Sequence, residues 1–559
     1  MHVAGWLQIA VFVAVLTALT PVLGRYLQRV FDGEATFLAP VERMTYRLLG
    51  TDPHREQDWK GYARTVVVFS ALFLGALYLI LRTQQVHPFN PEDLPALDWD
   101  LSFNTAASFV TNTNWQFYAG ETTMSYLTQM AGLAVQNFVS AAVGIAVAAA
   151  VIRGFARRES GVIGNFWVDV TRTTLYVLLP ISILGALFLV SQGLIQNLSP
   201  YTGVTTLTGA EQTLGQGPVA SQAIIKHLGT NGGGFFNVNA AMPFENSTTL
   251  TNFVLMLAIL AIPAALTNTF GRMVGSQRQG WAIYTAMLVW FVAAVAIVYV
   301  AESDSSAAMQ AAGIGGGNME GKDVRFGIGS SSLFAAITTV ASCGAVNAAM
   351  ESLTGIGATV PLANMMTGEV IFGGVGSGLY GMLLFVLLAV FLAGLMVGRT
   401  PEYLGKKIGP REIKLVVVGT LFVPLVVLVF TAVAIGTTWG APSISNPGPQ
   451  GFAETLYAYT SQANNNGSAF AGYTAVTFAE VMGGVAMLLG RFVPMLAALA
   501  VAGAMAGKRV APPGVGTMRT DTGTFIALLV GAVALVALLT FVPALLLGPV
   551  AQGLTDRLF

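Results

Sequence analysis

The sequence predicts an all-α polytopic membrane protein with ten transmembrane helices, from its composition and from the length of its apolar segments. Of the 559 residues, 54% are apolar and 10% are charged, whereas soluble globular proteins carry about 25% charged residues. A helix needs about 20 mainly apolar residues to cross the hydrocarbon core, and ten segments meet this requirement. They cover residues 5–24, 65–83, 127–152, 173–195, 248–270, 280–301, 378–398, 415–437, 481–506 and 524–548.

The first segment is interpreted as a retained helix, because it lacks the basic n-region and the cleavage site of a signal peptide. The whole chain has 27 Lys and Arg against 27 Asp and Glu, so no basic surplus points to a nucleic-acid partner. Its single cysteine, Cys343, excludes a disulfide framework, and its four histidines are far apart in sequence. We therefore expect membrane lipid around the chain and no transition-metal site.

The positions of the positive charges predict the orientation, because Lys and Arg accumulate in cytoplasmic loops. Twenty-one of the 27 lie in connections that follow odd-numbered spans, and five lie on the other side. Both termini are therefore predicted to face outward.

The four long outer connections contain similar stretches, rich in small and amide residues. These stretches are Ser108–Asn114, His227–Gly232, Thr338–Gly344 and Ser461–Gly467. Aligned on their last residues, they recur at intervals of 118, 112 and 123 residues, which indicates an internal repeat. The predicted units are an N-terminal helix and loop at 1–60, pore repeats at 61–160, 161–279, 280–408 and 409–510, and a C-terminal helix at 511–559.

A short apolar segment precedes each loop and is too short to cross the membrane. These segments are 101–109, 219–228, 332–339 and 453–460. The C-terminal end of a helix carries about half a negative charge, so four such ends would favour a cation between them. The loops contain no acidic residue, which favours a monovalent cation held by backbone carbonyls over a divalent one held by carboxylates. Ordinary turns are the alternative interpretation of any single loop.

The predicted filter has three residues in each loop. They are Asn112, Thr113 and Asn114, then Thr230, Asn231 and Gly232, then Ser342, Cys343 and Gly344, and finally Asn465, Asn466 and Gly467.

Six stretches carry a resemblance to a known family. They are Thr111–Gln116, Gly229–Asn237, Ala341–Asn347, Gly398–Lys407, Asn464–Phe470 and Gly490–Phe492. With these motifs the chain resembles, over essentially its whole length, the potassium-binding A subunit of the bacterial Kdp potassium-transporting ATPase. That family is related to the Trk, Ktr and HKT potassium translocators.

The resemblance implies four membrane-pore-membrane repeats with one extra helix at each end, and K⁺ bound at the filter residues. It implies a bacterial inner-membrane location. It also implies three partners: a P-type catalytic B subunit, a C subunit and a small F subunit. In this family the ion is thought to pass laterally to the catalytic subunit.

One positive charge is expected deep in the membrane. Arg491 follows Glu480 by eleven residues, so a continuous helix places it about 16 Å deeper, near the middle of the core. A charge there costs about 3 kcal/mol, so Arg491 is not expected to face lipid. It is interpreted as a positive barrier beneath the filter. The alternative is a charge paired with Glu369 or with a helix C-terminus.

Glycines are concentrated between the third loop and the seventh span, where Gly373, Gly374 and Gly376 follow Glu369. Each interior Gly costs a helix up to about 1 kcal/mol relative to Ala, so a broken helix and a gate beneath the filter are predicted here. Close packing of helices through small residues is the alternative. Gln116, just after the first loop, is predicted at the filter entrance, either to strip water from the ion or as a rim amide bonded to backbone.

The chain shows no nucleotide-binding motif. The closest approach to a P-loop, residues 503–508, has one residue too few and lacks the Ser or Thr that holds Mg²⁺. We therefore expect a non-catalytic subunit that binds no nucleotide, with ATP hydrolysis in a partner chain. The alternative is a stand-alone K⁺ channel or a cation symporter driven by the membrane potential.

Overall fold

The computed structural model describes residues 3–512 and 517–554. The first ten helices are α1 Val3–Phe31, α2 Ala39–Leu48, α3 Trp59–Thr83, α4 Trp99–Val110, α5 Gly120–Thr123, α6 Val135–Ala156, α7 Phe166–Arg172, α8 Leu179–Ser191, α9 Val219–Leu228 and α10 Thr249–Met273. The next ten are α11 Gln277–Ser303, α12 Ala307–Ala311, α13 Gly327–Val340, α14 Gly355–Met366, α15 Ser377–Met396, α16 Pro410–Gly436, α17 Gly448–Asn464, α18 Thr477–Ala506, α19 Gly523–Leu545 and α20 Ala551–Leu554.

Short helical stretches of other types continue or connect these helices. Stretches of π-helix cover Thr128–Ala134, Thr173–Leu178 and Leu546–Val550, and single 3₁₀ turns cover Gln84–Val86, Asn239–Ala241, Met350–Ser352 and Ala441–Ser443. Two small antiparallel hairpins, which the sequence did not predict, pair β1 Thr202–Thr205 with β2 Glu211–Leu214 and β3 Glu402–Tyr403 with β4 Lys406–Lys407.

The ten predicted spans are confirmed. Within the described residues, ten helical segments are long and apolar enough to cross a membrane. They are α1, α3, α6 with its preceding π turn, α7 and α8 taken together, α10, α11, α15, α16, α18 and α19. Both termini are predicted to face outward. Their last residues, 1–2 and 555–559, lie outside the described residues.

The span that ends in α6 lies at the centre of the bundle. In its most apolar window 89% of the residues are buried, against 28% for α1, which lies at the periphery. The sequence of α6 explains this position, because small residues such as Ala146 and Ala149 allow its neighbours to approach closely. Polar side chains on α6 therefore contact the functional loops described below.

Four short helices enter the bundle without crossing it. These are α4, α9, α13 and α17, which confirm the four predicted segments and extend three of them. Their backbone is surrounded by protein, since nearly every residue in the last three turns of each helix is buried. This burial satisfies the requirement that a non-crossing segment at membrane depth be enclosed by protein or water.

The C-terminal end of α6 is fixed by two polar contacts. The guanidinium of Arg153 makes two hydrogen bonds to the carboxylate of Asp169, at 2.7 and 2.8 Å. The ammonium of Lys406, on the second hairpin, donates to the carbonyl oxygens of Gly154 at 3.1 Å and Phe155 at 2.7 Å. These carbonyls have no partner within the helix, so the lysine caps the C-terminus of α6.

The Lys406 cap predicts a stability difference between two adjacent lysines. Lys406→Met leaves buried carbonyls without a donor, which costs about 1–3 kcal/mol and lowers the midpoint of thermal unfolding measured on the purified protein in detergent. Lys407→Met is the matched control, because the side chain of Lys407 is exposed. Equal midpoints for the two variants would contradict the capping role.

Candidate cation-binding site

The four short helices end in the same backbone hydrogen bond. The donor N–H and acceptor carbonyl are Thr113 to Ser108 at 2.9 Å, Asn231 to Lys226 at 2.8 Å, Cys343 to Thr338 at 3.1 Å and Asn466 to Ser461 at 2.8 Å. The residue before each donor has a left-handed φ: 68° at Asn112, 49° at Thr230, 52° at Ser342 and 63° at Asn465. This conformation ends a helix and redirects the chain. The repeat found in the sequence is therefore also a repeat of backbone geometry, because all four loops begin with the same turn.

The four loops meet beside Gly232. A β-carbon on Gly232 would lie 2.7 Å from the carbonyl oxygen of Thr113 and 3.0 Å from those of Cys343 and Asn466. These oxygens come from the three other loops and occupy equivalent positions in the repeat. Only glycine leaves room for so many carbonyls at one point. The structure thus brings the four predicted loops together and directs backbone oxygens to a common centre.

Polar side chains connect each loop to the next. The connecting bonds are Asn112 Nδ2 to Thr230 O at 3.0 Å, Cys343 Sγ to Asn231 O at 3.3 Å, Ser342 Oγ to Asn465 O at 2.9 Å and Asn465 Nδ2 to Thr113 Oγ1 at 3.0 Å. Together they form a closed ring around the four loops. The carbonyl oxygens of Thr113, Cys343 and Asn466 accept none of these four bonds, so they are available to a ligand at the centre.

Asn114 stands where the other three loops have glycine. Its φ is 57°, a left-handed conformation that Asn adopts more readily than most residues with a side chain. Its amide nitrogen donates to Asn137 Oδ1 at 2.6 Å, and its amide oxygen accepts from Asn231 at 3.0 Å. The side chain therefore points away from the centre, and the first loop keeps the turn that Gly344 and Gly467 make with φ of 84° and 105°.

Gln116 lies at the rim of a cavity of about 550 Å³ that reaches the loops. Its amide makes two hydrogen bonds of 3.0 Å to the backbone of Gly234 and donates to the hydroxyl of Tyr118 at 3.1 Å. Burial raises the pKa of Tyr118, so the phenol stays protonated. The side-chain amide of Gln116 therefore joins the first loop to the second.

The helix that follows the third loop is broken, as the glycines predicted. The break lies between α14 and α15, where Gly368, Gly373 and Gly376 have φ of 79°, 67° and 88°. The N–H of Val375 donates to Thr230 Oγ1 at 2.9 Å, and a β-carbon on Gly374 would lie 3.2 Å from that of Ser342. The broken segment therefore lies against the second and third loops, where the chain has just left the short helices.

Glu369 and Arg491 lie beside this break. Glu369 Oε1 accepts from Asn466 Nδ2 at 2.6 Å, and its buried Oε2 has no hydrogen-bond partner in the described part of the chain. Arg491 is 5% exposed, so it does not face lipid. Glu369 forms no ion pair with Arg491 among the described residues, although both line a cavity of about 60 Å³ between α15, α16 and α18. The two side chains therefore line one small cavity beneath the loops.

Comparison with known proteins agrees with this architecture. The family described as "Potassium-transporting ATPase A subunit" matches residues 10–554. The chain belongs to this family. It is 58% identical over 557 residues to a potassium-transporting ATPase potassium-binding subunit of Methylorubrum extorquens, covering 99% of this chain and 98% of the relative. It is 57% identical over 561 residues to the subunit of that name from Granulibacter bethesdensis, covering 99% of each.

A solved structure shows the same fold. The crystal structure of the potassium transporter TrkH from Vibrio parahaemolyticus matches with a TM-score of 0.54, covering 86% of this chain and 97% of that one. The sequence identity is 15%, so this likeness concerns the fold alone.

Several residues that contact or support the loops were not predicted from the sequence. Asn137 and Ser140 on α6 contact the first loop, Ser140 through a hydrogen bond of 2.7 Å to Asn112 Oδ1. Lys226 and Glu245 form a buried pair behind the second loop. Polar residues inside an otherwise apolar span, and a lysine inside a short apolar helix, were the available signals.

Proposed function

We propose that this chain is the K⁺-binding and K⁺-selecting subunit of an ATP-driven K⁺ import pump. The observation that carries the proposal is the convergence beside Gly232 of carbonyl oxygens from equivalent positions of the other three loops. Carbonyl oxygens arranged in this way replace the hydration shell of an alkali cation. The potassium-binding subunits to which the chain is similar support K⁺ as the ion.

Electrostatics favour a monovalent cation at the centre. The four short helices end beside the loops, and their C-terminal ends carry partial negative charge. The loops contain no carboxylate, so the attraction comes from dipoles rather than from full charges. This arrangement suits an ion that must bind and then leave.

The groups beneath the loops form the proposed gate. Gly373, Gly374, Gly376 and Glu369 belong to the broken segment, and Arg491 adds a positive charge to the same space. We propose that this charge opposes direct passage of K⁺ into the cell. The same cavity is also lined by Thr420 of α16, on the flank of the bundle, which supports lateral transfer to a neighbouring chain.

The proposed partners are a P-type catalytic B subunit that hydrolyses ATP, a C subunit and a small F subunit. We place the assembly in the bacterial inner membrane with both termini of this chain outside. The distribution of Lys and Arg supports this orientation.

The filter is tested by Gly232→Ala in the assembled complex. The added methyl group would lie 2.7–3.0 Å from three carbonyl oxygens and displace them, so we expect the K⁺ concentration for half-maximal ATP hydrolysis to rise at least about tenfold. Gly75→Ala is the control, because a β-carbon there meets no atom within 4 Å. Unchanged K⁺ dependence in Gly232→Ala would contradict the filter.

Reconstitution of this chain without its partners distinguishes the alternative function. A channel or symporter would move K⁺ when this chain is reconstituted alone, whereas a pump subunit requires the ATPase partner and raises its K⁺-stimulated hydrolysis. Sustained uptake by the chain alone would favour the alternative.

The barrier is tested by the passive flux of Rb⁺ through reconstituted complexes without ATP. Arg491→Ala removes the positive charge and is expected to raise this flux about tenfold or more, since about 1.4 kcal/mol of barrier corresponds to a tenfold change in rate. Arg491→Lys keeps the charge and should remain near the wild-type value. If Arg491→Ala changes neither passive flux nor coupled transport, the barrier is wrong.

A further inference from the structure

One of the four short helices carries a full positive charge directly behind its loop. Lys226 of α9 is fully buried, and its ammonium donates to the carbonyl oxygen of Gly233 at 2.8 Å. Gly233 follows Gly232, the residue on which the carbonyl oxygens converge. An uncompensated charge at this point would oppose any cation at the centre.

The equivalent positions in the other repeats are neutral. Ser108, Thr338 and Ser461 stand where the second repeat has Lys226. In the first repeat, Ser108 Oγ donates to the carbonyl oxygen of Trp115 at 3.1 Å, and Trp115 is the counterpart of Gly233. A hydroxyl therefore makes in one repeat the hydrogen bond that an ammonium makes in another.

The charge of Lys226 is balanced by Glu245. Its ammonium lies 3.3 and 3.4 Å from the two carboxylate oxygens of this fully buried residue, and 3.1 Å from Asn239 Oδ1. Glu245 also accepts from the N–H of Phe235 at 2.8 Å. A β-carbon on Gly234 would lie 2.7 Å from the ammonium and 2.9 Å from both carboxylate oxygens, so the second loop is held against the pair.

We propose that Glu245 is a positioning residue of the filter, whose carboxylate neutralises Lys226 so that the ammonium can fix the second loop without repelling K⁺. This inference rests on the proposed function of the loops as a K⁺ filter. It explains why one repeat can use a charged anchor where the first uses a hydroxyl. The pair acts on the ion through the field and position of the loop, without contact.

The test is a double-mutant comparison in the assembled complex, with K⁺-stimulated ATP hydrolysis as the readout. Glu245→Gln leaves the ammonium unbalanced and is expected to raise the K⁺ concentration for half-maximal activity at least tenfold. Lys226→Gln combined with Glu245→Gln removes both charges but keeps an N–H donor for the carbonyl of Gly233, and it is expected to return this concentration to within about threefold of wild type. A shift below twofold in Glu245→Gln, or a double variant that keeps the whole shift, would overturn the proposal.

A second buried ion pair provides the control for a purely structural role. Lys322 and Glu302 are also fully buried at their side chains and lie 2.8 Å apart, but among the hydrogen bonds of the described residues neither bonds to a residue of the four loops. Glu302→Gln should therefore reduce the yield of complex without moving the half-maximal K⁺ concentration. Equal K⁺ shifts in Glu302→Gln and Glu245→Gln would contradict a local effect at the filter.

Two further outcomes keep the result unambiguous. If Gly232→Ala leaves the K⁺ dependence unchanged, the filter proposal is wrong. If Gly232→Ala shifts the K⁺ dependence and Glu245→Gln does not, only the proposal about Glu245 is wrong.

Should Glu245→Gln not assemble, Asn239→Asp places a new carboxylate beside the same ammonium and is expected to lower the half-maximal K⁺ concentration about two- to threefold. An unchanged or higher value would contradict the proposal.

Discussion

The central constraint on this molecule is that four helix ends, each with unpaired carbonyls, must be enclosed within one membrane bundle. A buried carbonyl without a partner is costly, and the chain meets this cost with one solution repeated four times. The N–H of residues such as Thr113 and Asn231 closes the end of the short helix, and the preceding residue takes a left-handed conformation. The next carbonyls are then directed to a common centre, where a cation can satisfy them.

The rest of the bundle keeps these loops in place. Side chains from one loop bond to the backbone of the next, so displacement of any loop would break contacts with its neighbours. The central helix α6 adds Asn137 and Ser140 from behind and is itself fixed at its end by Lys406. Rigid positioning matters because oxygens that relaxed inward would fit smaller cations as well as larger ones.

The four repeats share a backbone but differ in their side chains. The first loop uses Asn114 where the others use glycine, the second is anchored by Lys226, and the third is followed by the broken helix. These differences place an amide, a charge pair and a helix break around one centre. Four equivalent sides would suffice for a symmetric channel. Unequal sides fit the proposed lateral transfer of the ion to a partner chain.

The sequence was sufficient for the spans and the loops, because apolar length is a local property and a recurring interval is visible along the chain without knowledge of the fold. It also located the break, since the glycines near Gly374 weaken a helix wherever they stand. It could not assign the partners of Gln116, whose amide bonds to Gly234, 118 residues away. Nor did it find the pairing of Lys226 with Glu245, because only the folded second loop brings the two together.

The most direct test of the central claim is the anomalous scattering of Rb⁺ in crystals of the assembled complex. The account predicts a peak between the four loops, within coordination distance of the carbonyl oxygens of Thr113, Cys343 and Asn466. A peak elsewhere, with the space beside Gly232 empty at saturating Rb⁺, would contradict it.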